Sequence, residues 1–391
     1  LQIINEGLKG FKSDFRRLYG QISLRTDGGK YLTTGGVKLL TDIIEDDVLV
    51  REQTADDIGR LFMELPDVNV ILFSCSHDSA AASDELDILE STIDDMAMIA
   101  GAGIRVAPDA SPAGVLIPLR ECGVCLVKGK GILVAAPNMK KAVAGTLIAE
   151  KGCEAYIYGK KLGGVKPLPA EVRQAIRRRF VESYVDVNQS EYVDFIGFDD
   201  ESFELREKLT DCVRTMAEDE MTCGSWGNVS VRLDEDTMLI TPSSMDYQDI
   251  KVEDIVQTDI HTLEYGNQRV PSGESALHAC MYRELEGCNA IIHTHSSACS
   301  VFAACEAGFA VQNPAIQQLI GHVRVVPHYA PGDETMALKI AEAMKASRGM
   351  ILAHHGALFY GPNLDVAYQI AQTVEQMARN LLEYGKKDDA E

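Results

Sequence analysis

Two hydrophobic rhythms alternate along the chain. Short apolar runs rich in Ile, Val and Leu, bounded by Gly, Pro or Asn, predict strands, and stretches with apolar residues three and four apart predict helices. In the second half, strands are expected at about 228–233, 237–241, 288–295, 323–327 and 350–354. A helix from a Ser202 cap to about Glu218 carries Leu205, Leu209 and Val213 on its inner face. Another follows Glu274 with Leu277, Cys280, Met281 and Leu285, a third begins at Asp333, and a long one starts at Asn363. Strands mixed with helices that cover both faces predict α/β domains in α/β/α layers. Periodicity leaves the strand direction open.

The same pattern occurs twice. Tyr19-Gly-Gln-Ile-Ser-Leu-Arg25 matches Trp226-Gly-Asn-Val-Ser-Val-Arg232, and Val68-Asn-Val-Ile-Leu-Phe73 matches Cys288-Asn-Ala-Ile-Ile-His293. Ile104-Arg-Val-Ala-Pro108 matches Val323-Arg-Val-Val-Pro327, and Lys130-Gly131 matches His355-Gly356. A single domain duplicated in tandem explains these pairs. A Gly/Pro-rich break at Leu162–Pro169, a basic amphipathic helix at Ala170–Tyr184 and a polar linker at 185–201 separate the copies. The domains are therefore expected at 1–190 and 200–391.

Composition narrows the partners. A net charge of −22 excludes nucleic acid and anionic membranes as partners, and leaves an anionic substrate to local groups. No apolar run approaches the length of a membrane span. Ten scattered cysteines form no disulfide framework, which predicts a reducing, cytoplasmic setting. Cys122-Gly-Val-Cys125 is read as a pair of reduced thiols on a strand, and Lys128-Gly-Lys-Gly131 as a solvated turn.

The candidate chemistry lies in the second copy, where eight of the nine histidines fall beyond residue 260. The run Asn289-Ala-Ile-Ile-His-Thr-His295 ends in two histidines at i and i+2, which share one face of a strand. Met350-Ile-Leu-Ala-His-His-Gly356 is a second apolar run ending in histidine, and Pro271-Ser-Gly-Glu274 opens a helix with a carboxylate. Neutral imidazole suits Zn, Fe, Ni or Cu. Three imidazoles and one carboxylate suit a catalytic Zn²⁺ centre able to polarise a ketone and its neighbouring hydroxyl. The first copy has Thr54, Phe73, Cys75 and Lys130 opposite Glu274, His293, His295 and His355, so it is expected to keep the fold and lack the metal. His261, His278, His322 and His328 are read as surface or core groups, His354 as packing beside the site, and His77 as isolated.

Five ordered motifs, Gly227-Asn228-Val-Ser-Val-Arg232, Leu239-Ile-Thr-Pro-Ser-Ser244, Pro271-Ser-Gly-Glu274, His293-Thr-His295 and His355-Gly356, resemble the class II aldolase/adducin family, most of all its fuculose-phosphate aldolase branch. The resemblance covers roughly residues 202–385. It implies a mainly antiparallel central sheet and a site metal held by Glu274, His293, His295 and His355, either Zn²⁺ or another divalent ion such as Mn²⁺, Fe²⁺ or Co²⁺. It further implies that Glu274 carries a proton and that Asn228, Ser243, Ser244, Ser272 and Gly273 bind a phosphate. Short hydroxyl, amide and glycine residues in turns and at a helix start are physically suited to an anion.

The family's aromatic proton donor falls at Pro314 here, and its tyrosine-bearing tail is missing after Tyr384. Arg179-Phe-Val-Glu-Ser-Tyr184 resembles that tail, so Tyr184 of the first copy is expected to serve the second copy's site. Family sites lie between subunits of a four-fold ring, which a dimer of tandem chains could mimic. The expected function is a metal-dependent aldolase that cleaves a phosphorylated ketose, through a metal-stabilised enediolate, to dihydroxyacetone phosphate and an aldehyde. The alternatives are a sugar-phosphate epimerase, a methylthioribulose-phosphate-type dehydratase and an adducin-like non-catalytic scaffold.

Overall fold

The computed structural model describes residues 18–183, 200–222, 225–266, 269–330 and 333–385. Tyr184 lies outside them. The chain divides into two compact units, one of Leu1–Ile157 with Pro167–Arg178, the other of Tyr158–Lys166 with Arg179–Glu391. No helix among the described residues is long and apolar enough to cross a membrane.

Unit 1 runs β1 (Tyr19–Arg25), β2 (Lys30–Thr34), β3 (Lys38–Leu39), β4 (Val48–Glu52), α1 (Asp57–Glu64), β5 (Val70–Cys75), α2 (His77–Glu85), β6 (Ile88–Glu90), α3 (Asp94–Ala100), β7 (Gly103–Ala107), α4 (Pro112–Cys122), β8 (Val124–Val127) and β9 (Gly131–Ala136), then α5 (Met139–Gly159) and α6 (Ala170–Ser183). Its sheet order is β4-β2-β1-β5-β9-β8-β7-β6, with β3 beside β1. Every pairing is antiparallel except β7 with β8. Leu61 and Phe62 of α1 and Val115 and Leu119 of α4 pack on one face of this sheet, against Ile71, Val127 and Leu133.

Unit 2 begins with α7 (Asp200–Glu218), β10 (Asn228–Arg232), β11 (Thr237–Ile240), β12 (Val256–Asp259), α8 (Ser275–Glu284), β13 (Ala290–Thr294) and α9 (Ser297–Ala304). It continues with α10 (Pro314–Ile320), β14 (Arg324–Val326), α11 (Glu334–Met344), β15 (Gly349–Leu352), β16 (Gly356–Gly361) and α12 (Leu364–Tyr384). Its order, β12-β11-β10-β13-β16-β15-β14, repeats that of unit 1, again with one parallel pair, β14 with β15. Leu277 and Met281 of α8 and Ile340 and Met344 of α11 cover one face over Met238, Ile240, Ile291 and Leu358. The apolar stripe of α12 (Ile370, Val374, Ala378) is buried, and α12 packs on β13 and β16. The layered α/β fold and the mainly antiparallel sheets agree with the sequence reading.

Local devices recur in both units, which shows the duplication at atomic detail. Arg25 donates to the carbonyls of Phe62 (2.5 Å) and Leu65 (2.8 Å), with its guanidinium 5.1 Å from the Phe62 ring. Arg232 donates to the Tyr282 carbonyl and lies 5.0 Å from the Tyr282 ring. In each case one arginine satisfies the carbonyls at the end of a helix and stacks on its aromatic residue. Asn69 and Asn289 bond the carbonyls of Pro137 (3.1 Å) and Pro362 (3.3 Å), and Asn138 and Asn363 cap the last long helix of each copy.

Two readings change. Ser202 does not cap α7, which is already helical at Asp200; its hydroxyl accepts from Arg206 Nε at 3.0 Å inside the helix. Strands β12 and β16 were not expected, although β16 is buried along its whole length.

Arg232→Met removes the carbonyl bond and the ring contact together, at an expected cost of about 1–3 kcal/mol. Trp226, the chain's one tryptophan, lies in unit 2. A denaturant midpoint followed by its fluorescence should therefore fall, and an unchanged midpoint would remove the clamp from the account.

Candidate metal centre

Strand β13 is paired on both sides, and its register sets the site. His293 lies opposite Asn228 of β10 and opposite Leu358 of β16. His295 follows two residues later on the same face, its backbone N–H donating to the Met221 carbonyl at 3.1 Å. His355 arrives from the turn between β15 and β16. Here the sequence expectation is corrected, because the strand stops at Leu352 and residues 353–355 form a turn. His354 takes a left-handed φ of 61°, so its ring turns away to Glu306, Nε2 to Oε1 2.9 Å. At Gly356 a Cβ would meet the Thr294 carbonyl oxygen at 2.2 Å, so only glycine lets β16 approach β13 here.

The three rings present their Nε2 atoms to one point. His293 Nε2 is 3.1 Å from His355 Nε2 and 3.0 Å from His295 Nε2. Glu274, just ahead of α8, adds its carboxylate, with Oε1 3.0 Å from His355 Nε2 and Oε2 3.3 Å from His293 Nε2. Asn228 Nδ2 donates to Glu274 Oε2 at 2.6 Å and orients it. All five side chains are buried. His293 Nδ1 lies 3.0 Å from the Ala357 carbonyl, which can only accept. The ring proton therefore resides on Nδ1 and leaves a bare lone pair on Nε2, the tautomer that a metal requires.

Burial pushes His293 down to about 3, with the neighbouring imidazoles acting in the same direction, so it is neutral at pH 7. Burial alone would raise Glu274. The imidazoles of His293 and His355, with the bonds from His355 and Asn228, instead hold it well below the usual carboxylate range. An anionic carboxylate facing three imidazole nitrogens is a donor set that fits a divalent ion.

Of the five residues read as phosphate ligands, Ser243, Ser244, Ser272 and Gly273 lie on adjoining turns ahead of Glu274, and Asn228, which opens β10, reaches it through its side chain. A bridge joins Pro242 to Pro271, Ser243 N–H donates to the Val270 carbonyl (2.9 Å), and Ser272 N–H to that of Thr241 (3.0 Å). Ser244 has a φ of 60°, and its hydroxyl is 3.3 Å from that of Ser243. Ser272 Oγ accepts from Glu274 N–H at 3.3 Å, and Gly273 sits between them. Asn228 Oδ1 is buried with no hydrogen-bond partner among the described residues, an acceptor left over at the inner end of this group.

His278, read as a surface or core group, is a core group. It lies one helical turn after Glu274 and is fully buried, with Nδ1 2.7 Å from Ser230 Oγ, which in turn lies 2.7 Å from the Tyr282 hydroxyl. Burial lowers it to about 4.

In unit 1 the register is the same and the donors are gone. Gln21 lies opposite Phe73, and Phe73 opposite Leu133. Gly131 again admits its strand, where a Cβ would meet the Ser74 carbonyl oxygen at 2.3 Å. Among the described residues, the group able to hold a metal is the triad of unit 2.

The buried neutral histidines give unit 2 a pH dependence. His293 and His278 have folded pKa values below their unfolded ones, so the unfolded state binds more protons below pH 6.5. Their contribution is complete above pH 6.5 and falls as pH drops towards 4, by up to about 1.4 kcal/mol per pH unit for each ring. Glu274, depressed, changes in the same sense at lower pH. Chelator-treated protein should show a lower Trp226 denaturation midpoint at pH 5 than at pH 7, and a flat profile would contradict the neutral assignment.

The family model for the class II aldolase and adducin N-terminal domain matches residues 15–157 and again 207–382. The L-fuculose phosphate aldolase of Haemophilus influenzae is 35% identical over 180 residues, which is 45% of this chain and 81% of the relative. The 3-oxo-tetronate 4-phosphate decarboxylase of the same organism is 28% identical over 179 residues, 44% of this chain and 85% of its own. A solved L-fuculose 1-phosphate aldolase matches 46% of this chain and 84% of its own, at 31% identity and a TM-score of 0.43. With the model matched twice and the sheet built twice in one order, the chain belongs to the class II aldolase and adducin N-terminal domain family as a tandem of two copies.

Proposed function

We propose that this lyase is a divalent-metal-dependent aldolase that cleaves a phosphorylated ketose to dihydroxyacetone phosphate and an aldehyde. The observation that carries the reading is the convergence of His293, His295 and His355 with the carboxylate of Glu274, held by Asn228. Bound there, a zinc or similar ion supplies Lewis-acid polarisation of a carbonyl and its neighbouring hydroxyl.

The protein's part is then proton transfer and placement. Glu274 is buried and held anionic, and its carboxyl is the proton carrier at carbon: in cleavage it delivers to the enediolate carbon the proton given up by the hydroxyl that becomes the aldehyde, and in condensation it takes that proton back. Asn228, Ser243, Ser244, Ser272 and Gly273 offer side-chain and backbone donors to the substrate phosphate and anchor the molecule away from the bond that breaks. Tyr184 is our candidate for carrying the proton at the aldehyde oxygen, which leaves the substrate hydroxyl in cleavage and returns in condensation. Unit 1, with Thr54, Phe73, Cys75 and Lys130 in place of the ligands, is taken as a metal-free domain, and a dimer of tandem chains as the assembly.

Relatives named as 3-oxo-tetronate 4-phosphate decarboxylases support a second reading. Decarboxylation of a β-keto acid phosphate also leaves an enediol-type carbanion beside a polarised carbonyl, and the same Glu274 would protonate it.

The aldehyde need not be known to test the first reading. Dihydroxyacetone phosphate in D2O should exchange one carbon-bound hydrogen on the metal-loaded enzyme, followed by proton NMR. Glu274→Gln should slow exchange by about 10²–10⁴-fold, and His293→Ala should lose metal and exchange together. Bound metal with no exchange would sink the aldolase reading. Tyr184→Phe should lower turnover in the cleavage direction and leave metal content unchanged; an unaltered rate would remove Tyr184.

A further inference from the structure

Unit 1 holds a pocket whose outer side, Tyr31, Thr33 and Leu49, corresponds to solid core in unit 2, and whose other side, Gln21 and Thr34–Gly36, corresponds to Asn228 and the Thr241–Ser243 turn. In unit 2, Met238, Ile240 and Val256 are fully buried and join the main core cluster, together with Ile260 and the partly buried Leu263. Ile260 and Leu263 belong to the segment 260–274 that links β12 to α8. In unit 1 the link from β4 to α1 is only residues 53–56. The strand registers place Tyr31, Thr33, Leu49 and Arg51 where unit 2 has Met238, Ile240, Val256 and Thr258. The shortened link leaves this face without the cover that Ile260 and Leu263 give in unit 2, and the apolar pair Met238 and Ile240 is replaced by tyrosine and threonine.

The result is a cavity of about 150 Å³ lined by Gln21, Tyr31, Thr33, Arg51 and Asp56, with the Gly35-Gly36 turn at its mouth. Its polar groups are ordered by one another. The Tyr31 hydroxyl, on a fully buried side chain, donates to the Asp56 carboxylate at 2.5–2.6 Å, and Asp56 also accepts from Gly59 N–H at 3.0 Å. Gln21 Nε2 donates to the Thr34 carbonyl at 2.9 Å, and Ser23 Oγ meets Thr33 Oγ1 at 2.8 Å. Tyr31 and Arg51 are direct cross-strand partners, so both project from one face of the sheet. Among the described residues Arg51 makes no ion pair or hydrogen bond, in a chain with 59 acidic residues against 37 Lys and Arg. A guanidinium left unpaired beside a fixed carboxylate acceptor suits a ligand carrying a negative group at one end and hydroxyls at the other.

We infer that unit 1 is a binding site for a small hydroxylated anion, its charged group on Arg51 and its hydroxyls on Asp56 and Thr33. All of these residues lie in unit 1, so the site does not depend on the aldolase reading of unit 2.

The test uses the full chain with methyl-labelled Leu and Ile, because the Leu49 and Ile58 methyls line the pocket. Glycerol 3-phosphate and glycerate serve as phosphorylated and carboxylated probes, with glycerol as the neutral control. We expect at least one anion to shift both methyl signals saturably, glycerol to do so far more weakly, and Arg51→Ala to weaken binding by on the order of tenfold or more. Arg51→Gln, which keeps hydrogen-bonding capacity without charge, should fall with it. Arg51 is exposed, so both variants should keep the wild-type thermal midpoint. No saturable shift with either anion, equal binding of glycerol, or unchanged affinity in both variants would overturn the site, and metal content and hydrogen exchange in unit 2 would stand unaffected.

Discussion

Everything at the candidate metal centre depends on the register of one strand. Pairing β13 between β10 and β16 sets His293 beside Asn228 on one edge and beside Leu358 on the other. Because successive side chains alternate faces, a slip of one residue would turn both His293 and His295 away and bring Ile292 and Thr294 into their place. The buried flanks of β13 make that slip expensive, since all five of its residues are packed. The same pairing fixes the chemistry of the ring, because the Ala357 carbonyl that holds His293 Nδ1 belongs to the residue after Gly356 on β16. Fold, approach of the strands and tautomer are thus one constraint.

This explains which parts were legible in the sequence. The His-x-His at the end of an Ile-rich run needs only the two-residue period of a strand, and the helix opening at Glu274 needs only its turn and its apolar spacing. The duplication was legible because the residues that recur, Arg25 with Arg232 and Gly131 with Gly356, answer backbone demands that do not change between copies. Strand β16 was missed because Gly356-Ala-Leu-Phe-Tyr-Gly361 follows a histidine pair and resembles the exit of a turn, and its burial arises only from the two strands beside it. Helix α9, with Ser, Ala and Cys along much of its length and every residue buried, has no polar face to give a period. The turn at His354 depends on a positive φ, which the residue type does not announce.

The two copies separate packing from chemistry. The arginine clamp, the asparagine caps and the glycine approach persist in unit 1, whereas Phe73 and Cys75 stand where unit 2 has His293 and His295. A cluster of buried imidazoles facing a carboxylate carries a desolvation cost that a metal-free domain gains nothing from keeping. Phenylalanine and cysteine remove that cost without disturbing the register, so the sheet tolerates the change.

The link between sheet and helix differs for a related reason. In unit 2 the long segment from β12 to α8 does two things, since Ile260 seals the core and Ser272 and Gly273 lead into Glu274. Unit 1 has Thr54 and no carboxylate in the place of Glu274, and its link is the shorter one, residues 53–56. The shorter link leaves a cavity on the face beneath it, and an apolar lining opened to water is costly unless its residues become polar. Tyr31, Thr33 and Arg51 satisfy that demand, but Tyr31 remains fully buried and its hydroxyl is committed to Asp56. A face made polar only to meet solvent would not need such an internal bond. The polar lining of the unit 1 pocket thus goes with the shorter link, whereas the missing metal ligands at Phe73, Cys75 and Lys130 are changes of residue type on an unchanged register.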